Sequence, residues 1–129
     1  MHEKKRQRIE GLVKRYKNEK AEPATYRLAK NPYLVQSLDI STGHLTQKEV
    51  ALLEEATAGQ SDNPVVAYKY EYGYLVYVPD EKADYLAIAE YGYERQFRDI
   101  LRRARELKCK YVKFDGDGIT YEDLETYNW

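Results

Sequence analysis

From Val65 to Val78 the chain reads Val-Val-Ala-Tyr-Lys-Tyr-Glu-Tyr-Gly-Tyr-Leu-Val-Tyr-Val, with aliphatic and tyrosine positions alternating about Tyr72-Gly73. Period-two alternation on both sides of a turn signal predicts a β-hairpin, with strands at 65–70 and 74–78. A two-residue turn at Tyr72-Gly73 sends Val65, Ala67, Val76 and Val78 to one face of the ribbon. Val66, Tyr68, Tyr70, Leu75 and Tyr77 then share the other. The small aliphatics suit a face covered by helices, which leaves the tyrosines on the opposite side. A slip of one residue would exchange the two faces, so this register carries the reading.

The remaining elements follow from periodicity and punctuation. Ile9, Leu12, Val13 and Tyr16 recur at helical spacing among lysines and arginines, predicting an amphipathic helix over 3–19, slightly weakened by Gly11. Residues 20–33, with Pro23 and Pro32, read as a linker. A strand is expected at 34–41, with Leu38 and Ile40 on one face. Thr46-Gln-Lys-Glu49 is a capping box that opens a helix over 47–58, with Val50, Leu53 and Thr57 on its stripe and Gly59 at its end. Pro79-Asp80 introduces a short helix at 81–90, stopped near Gly92.

Phe97, Ile100, Leu101, Ala104 and Leu107 line a longer helix at 94–108, whose other faces hold Arg95, Arg98, Arg102, Arg103 and Arg105. Tyr111–Phe114 reads as a fourth strand that places Val112 and Phe114 inward and Tyr111 and Lys113 with the tyrosines. The turn Asp115-Gly-Asp-Gly118 follows, and residues 119–129 are expected to add a short strand. The domain organisation is thus a basic helix and linker at 1–33 and one α+β domain at 34–129. Its β-α-β-β-α-β order is that of a ferredoxin-like unit, an antiparallel sheet with helices on one face and the other face open.

Composition sharpens the question of that open face. The chain has 14 tyrosines in 129 residues, and tyrosine couples a large apolar ring to a polar tip. Three readings compete for Tyr68, Tyr70, Tyr77, Tyr111 and Lys113. The N-terminal helix or the acidic tail covers them as a second core, since large exposed apolar patches are uncommon on monomers. They contact a protein partner or a second copy, since tyrosine is enriched at interfaces. Or they stack nucleic-acid bases in the manner of RRM-type sheets. An acidic domain body, and the lack of the Gly-and-aromatic strand pattern of such sheets, weigh against the last.

Charge is polarised along the chain. The net charge is −1, yet residues 1–30 carry ten Lys/Arg against four Asp/Glu and residues 31–129 carry eleven against eighteen. Residues 115–129 hold five acids and no base. Such polarity steers association with charged partners, and it equally describes a solvated basic helix beside an acidic tail. The single cysteine, Cys109, excludes an internal disulfide, fits a reducing cytosol and reads as a buried thiol near the end of the helical stripe. No apolar run suits a membrane helix, and the charged N-terminus lacks a secretory apolar region. A cytoplasmic protein without membrane association is expected.

Chemistry-bearing motifs are sparse. Counted from Asp115 as a calcium loop, glycine falls at the fourth position and Thr126 at the twelfth, so the EF-hand pattern fails. A turn whose two glycines tolerate positive φ is the favoured reading. His44, beside a capped helix, is the candidate base, with Asp115 or Asp117 as its partner if the first and fourth strands adjoin. A histidine bonded to the backbone of its own turn fits the same pattern. Zinc spacings, nucleophile elbows and dinucleotide fingerprints do not occur, so no metal or cofactor is expected.

Ser41-Thr-x-His44-x-Thr46, Tyr-Gly-Tyr-Leu-Val-Tyr-Val-Pro79, Phe97 through Leu107, Asp115-x-Asp-Gly118, Leu124 and Trp129 form an ordered set over about residues 37–129. The set resembles a family of short bacterial proteins of plasmids, phages and integrative elements, a domain of unknown function. Gly43 stands where that pattern has alanine, and the basic N-terminal helix is an extension. The resemblance implies a genetic neighbourhood in which small proteins bind and block host proteins, restriction or CRISPR machinery included.

The expectation is therefore a non-enzymatic binding protein of a mobile element. Its partner is a host or element-encoded protein, with a homodimer as a further reading. Its binding residues are the tyrosine face together with Asp115, Asp117, Glu122, Asp123 and Glu125, acids that imitate the charge of nucleic acid. Two alternatives stand beside it: a nucleic-acid-binding module using the basic helix and the arginines at 95–105, and an enzyme built on His44 with Asp115 and Asp117.

Overall fold

The Thr46 hydroxyl accepts from the Glu49 amide at 3.1 Å, and the Glu49 carboxylate accepts from the Thr46 amide at 3.0 Å. This reciprocal cap starts the helix that the capping box predicts. The structure, a computed structural model, describes residues 34–59 and 62–129. The helix expected over 3–19 and the linker after it lie outside the described residues.

The elements are β1 (Gln36–Ser41), a single 3₁₀ turn (Thr42–His44), α1 (Gln47–Thr57), β2 (Ala67–Tyr70), β3 (Gly73–Tyr77), α2 (Lys82–Tyr91), α3 (Arg95–Glu106) and β4 (Cys109–Asp115). Gly59 at φ +85° and Gly92 at φ +123° follow the ends of α1 and α2 in the left-handed region that glycine enters without strain. Residues 119–129 form turns and irregular chain rather than the short strand expected there.

The fold is α+β, but the sheet is mixed. Its strand order is β1-β4-β3-β2, with β1 parallel to β4 and the other pairs antiparallel. The all-antiparallel ferredoxin-like expectation is corrected here: β1 is an edge strand and β4 lies between it and β3. Element order alone cannot fix which strands pair, because the β1–β4 ladder joins segments separated by most of the domain. Cys109 opens β4 half-buried instead of closing the α3 stripe.

The hairpin turn is Glu71-Tyr72, since Tyr70 pairs with Gly73 and Ala67 with Val76. The turn is one residue earlier than expected, which moves the partner of each β2 residue by two. A two-residue shift keeps every side chain on its face. Accordingly Val65, Ala67, Val76, Val78, Val112 and Phe114 are buried, with Tyr74, on the face that meets the helices.

Against them pack Leu53 of α1, Tyr85 and Ile88 of α2, and Phe97, Ile100, Leu101 and Ala104 of α3. Tyr93 stacks on Phe97 at 4.6 Å and Phe97 on Phe114 at 5.8 Å, pairs that each add about 0.5–1.5 kcal/mol beyond their buried area. Two polar residues tie the loops to this core. Buried Asn63 donates to the Leu52 carbonyl and accepts from the Val65 amide and the Tyr93 hydroxyl. Buried Glu49, besides capping α1, accepts from the Glu94 amide at 3.0 Å and so joins the starts of α1 and α3.

Candidate functional site: the open face of the sheet

On the sheet face away from α1, α2 and α3, the register sets side chains in three rows. Tyr70, Gly73, Asp115 and Ser41 form one; Tyr68, Leu75, Lys113 and Asp39 the next; Val66, Tyr77, Tyr111 and Ser37 the third. Tyr68 is 57% exposed, Val66 50% and Tyr77 38%. Tyr70, Leu75 and Tyr111 are half-buried among their neighbours. Tyr68, Tyr70, Leu75 and Lys113, with Lys69 at the edge, line a shallow depression of about 380 Å³.

Polar contacts hold this aromatic surface in place. The Tyr70 hydroxyl donates to Asp115 Oδ2 at 2.5 Å, and Lys113 Nζ lies 3.8 Å from the same oxygen and 5.9 Å from the Tyr70 ring centroid. Burial and then the Asp115 bond push the Tyr70 phenol well above its usual range. The Tyr70 hydroxyl, the Asp117 amide and Lys113 hold the Asp115 carboxyl below its own. Tyr77 and Tyr111 meet edge to face at 6.2 Å, and Lys110 Nζ stands 5.7 Å from the Tyr111 ring. Such cation–π contacts fix the rings without covering them.

The expected binding residues fall into two regions. Tyr68, Tyr70, Tyr77, Tyr111, Lys113 and Asp115 share the open face, and Asp117 sits in the turn that follows it. The carboxylates of the tail are dispersed. Asp123 pairs with Arg103 of α3 at 3.0 Å, the Glu125 backbone bonds Gln96 of α3, and Glu122 is exposed. Tail and open face are therefore on different sides of the sheet. The arginines at 95–105 are also largely engaged: Arg95 and Arg102 with Asp99, and Arg103 with Asp123.

His44 is 1% exposed. Its Nδ1 donates to the Glu125 carbonyl at 2.8 Å, and its Nε2 accepts from the Tyr121 amide at 2.9 Å. That pairing requires the neutral ring with its proton on Nδ1. β1 and β4 do adjoin, yet both ring nitrogens serve the tail backbone rather than Asp115 or Asp117.

The same clamp is completed by Tyr127 N–H to the Gly43 carbonyl, Trp129 Nε1 to the Leu45 carbonyl, and the Tyr121 hydroxyl to the Asp39 carbonyl. Tyr121 and Leu124 thereby wall an apolar cavity of about 130 Å³ against Leu38, Ile40, Ile100 and Leu107. The sequence offered His44 a bond within its own turn. Its partners lie 77 and 81 residues away, a distance no local pattern reports.

Gly118 does not adopt positive φ. A Cβ there would collide with the Ile40 carbonyl, so it is the approach of the turn to β1 that excludes a side chain. Among the described residues no group of three or more His, Cys, Asp or Glu is placed to hold a metal ion. No helix among them is long and apolar enough to cross a membrane.

Comparison with family models matches residues 37–129 to the C-terminal domain of a family of unknown function, DUF5983. No curated protein and no solved structure matches the chain. The chain therefore belongs to the DUF5983 family, through the domain that carries the sheet and its tail clamp.

Proposed function

We propose that this is a non-enzymatic binding protein whose working surface is the open face of the sheet. One observation carries the reading: Tyr68, Tyr77 and Val66 stand exposed on a face whose rings and cations are fixed by the sheet register and by the Tyr70–Asp115–Lys113 contacts. Rigid aromatic rings lose little conformational entropy on binding, which is why they serve as anchors at interfaces. The partner is a protein, because the face is mostly apolar and aromatic, with Lys113 beside Asp115 and Asp39 rather than a run of one sign.

The engagement of both His44 nitrogens supports a binding role over catalysis, since a general base needs a free lone pair in reach of substrate. The mobile-element setting implied by the motif resemblance points to host or element-encoded nucleic-acid enzymes as the partners to test first. Pairing of Asp123 with Arg103, and docking of the tail backbone at Glu125 on Gln96, moves the weight of the reading from the acidic tail to the tyrosine face.

The test is quantitative capture from cells of the native host, comparing the full chain with Tyr68→Ala/Tyr77→Ala. A partner recovered by the parent chain and reduced at least tenfold with the variant is expected. Equal recovery, with far-UV circular dichroism unchanged, would overturn the reading.

A further inference from the structure

At the end of the sheet where α3 turns into β4, Arg105, Lys108 and Lys110 converge on a depression of about 400 Å³ that Tyr77 also lines. All three cations are exposed, and among the described residues none has a carboxylate within ion-pair distance. Asp80 is the one acid in the lining, against three bases. Cations at the end of a helix favour the helix by themselves, which accounts for Arg105. That cause does not reach Lys110, which is in β4 with its ammonium over the Tyr111 ring.

Lys108 is more telling. It takes φ +63° immediately after the α3 cap, the position at which glycine is favoured because a side chain is strained there. The described chain has no other non-glycine residue at positive φ. Strain of this kind points to a role for the side chain it carries, and here it supplies the third positive charge of the depression.

We infer that this depression is a site for single-stranded nucleic acid, with a backbone phosphate among Arg105, Lys108 and Lys110 and a base stacked on Tyr77. The chemistry is that of sequence-tolerant single-strand binding: a cationic groove for the backbone beside an aromatic platform for bases. A volume of about 400 Å³ suits one nucleotide unit. The acidic balance of the remaining chain is no obstacle, since charges beyond about 8–10 Å are largely screened at physiological salt. The inference goes beyond the protein-partner reading; it shares Tyr77 with that reading and is told apart from it by Lys108 and Lys110, which that reading does not use.

The experiment is fluorescence anisotropy of the full chain with a labelled single-stranded oligothymidylate, titrated over a range of salt. The variants are Lys108→Gly, Lys110→Gln and Tyr77→Leu. Lys108→Gly is the decisive one, because glycine relieves the positive φ and folding failure cannot explain lost binding. Each lysine variant is expected to flatten the slope of log K against log salt, the two together by about 0.7, the amount released at one phosphate. Tyr77→Leu is expected to weaken binding about fivefold or more at unchanged slope.

Failure to bind at low salt would overturn the inference. So would binding whose slope neither lysine variant changes, because that locates the contact elsewhere, the basic residues before 31 included. Capture of a protein partner by Tyr68 stands or falls separately.

Discussion

Replacing His44 with alanine tests the tail clamp most sharply. The ring is fully buried and makes two bonds to backbone groups of the tail, at 2.8 Å to the Glu125 carbonyl and 2.9 Å to the Tyr121 amide. A net hydrogen bond contributes about 0.5–1.5 kcal/mol, and a buried group left unpaired costs about 1–3 kcal/mol. Two buried groups left unpaired amount to about 2–6 kcal/mol, and the void left by the ring adds to them.

Detachment of residues 119–129 limits the cost, because freed backbone groups then bond to water. A loss of about 3 kcal/mol is the expected outcome, or about 1.5 M in urea midpoint for an m-value of about 2 kcal/mol/M. Trp129, the one tryptophan of the chain, reports on the tail through its bond to the Leu45 carbonyl. Because Trp129 is already 60% exposed, its emission should change only slightly when that bond is lost, and the urea midpoint carries the test. His44→Asn keeps a donor near the Nδ1 position without reaching Tyr121, and should lose about half as much. An alanine variant with a midpoint within about 0.3 M of the parent would refute the clamp, since that is about 0.6 kcal/mol at the same m-value.

The remaining predictions are these. Gly118→Ala should destabilise the domain by about 2 kcal/mol or more, because its Cβ meets Ile40 and Ser41 backbone, whereas Gly116→Ala should change stability by less than about 0.5 kcal/mol; thermal melts compare the two. Asp115, held below the usual carboxyl range by Tyr70, contributes stability that is present above about pH 4 and lost as pH falls through its lowered value, so Asp115→Asn should flatten the acid limb of urea midpoints against pH. Tyr70, Tyr74 and Tyr93 are raised, chiefly by burial, so their contribution is complete below about pH 10 and is lost as pH rises through their folded values. Phenolate absorbance of the native chain should therefore lag that of the chain in urea until alkaline unfolding, and coincident curves would contradict the burial of these rings.

Local patterns carried the elements and faces. The capping box at Thr46–Glu49 works because its partners are three residues apart, and the face assignment of the hairpin survives a misplaced turn because parity is conserved. Non-local pairings were not legible. The parallel β1–β4 ladder depends on where two distant strands meet, and the engagement of His44 depends on where the tail returns. Tyr74 shows the same limit: its ring lies on the helix side and its hydroxyl donates to Glu54 at 2.6 Å, a carboxylate also bound by Lys69. Lys69 and then Tyr74 hold that carboxyl below its usual range. Of the candidate surface, its tyrosines and Lys113 were readable from alternation, while the depression at Arg105, Lys108 and Lys110 needed the α3–β4 turn.

The central claim is that partners approach the tyrosine side of the sheet. It is met most directly by site-specific photo-crosslinking in the native host, with a benzophenone side chain placed at Tyr68, at Tyr77, and at exposed Leu86 of α2 on the helical side. The account predicts a shared crosslinked partner from Tyr68 and Tyr77, competed by unlabelled chain, and none from Leu86. A partner trapped from Leu86 while Tyr68 and Tyr77 trap nothing would contradict it.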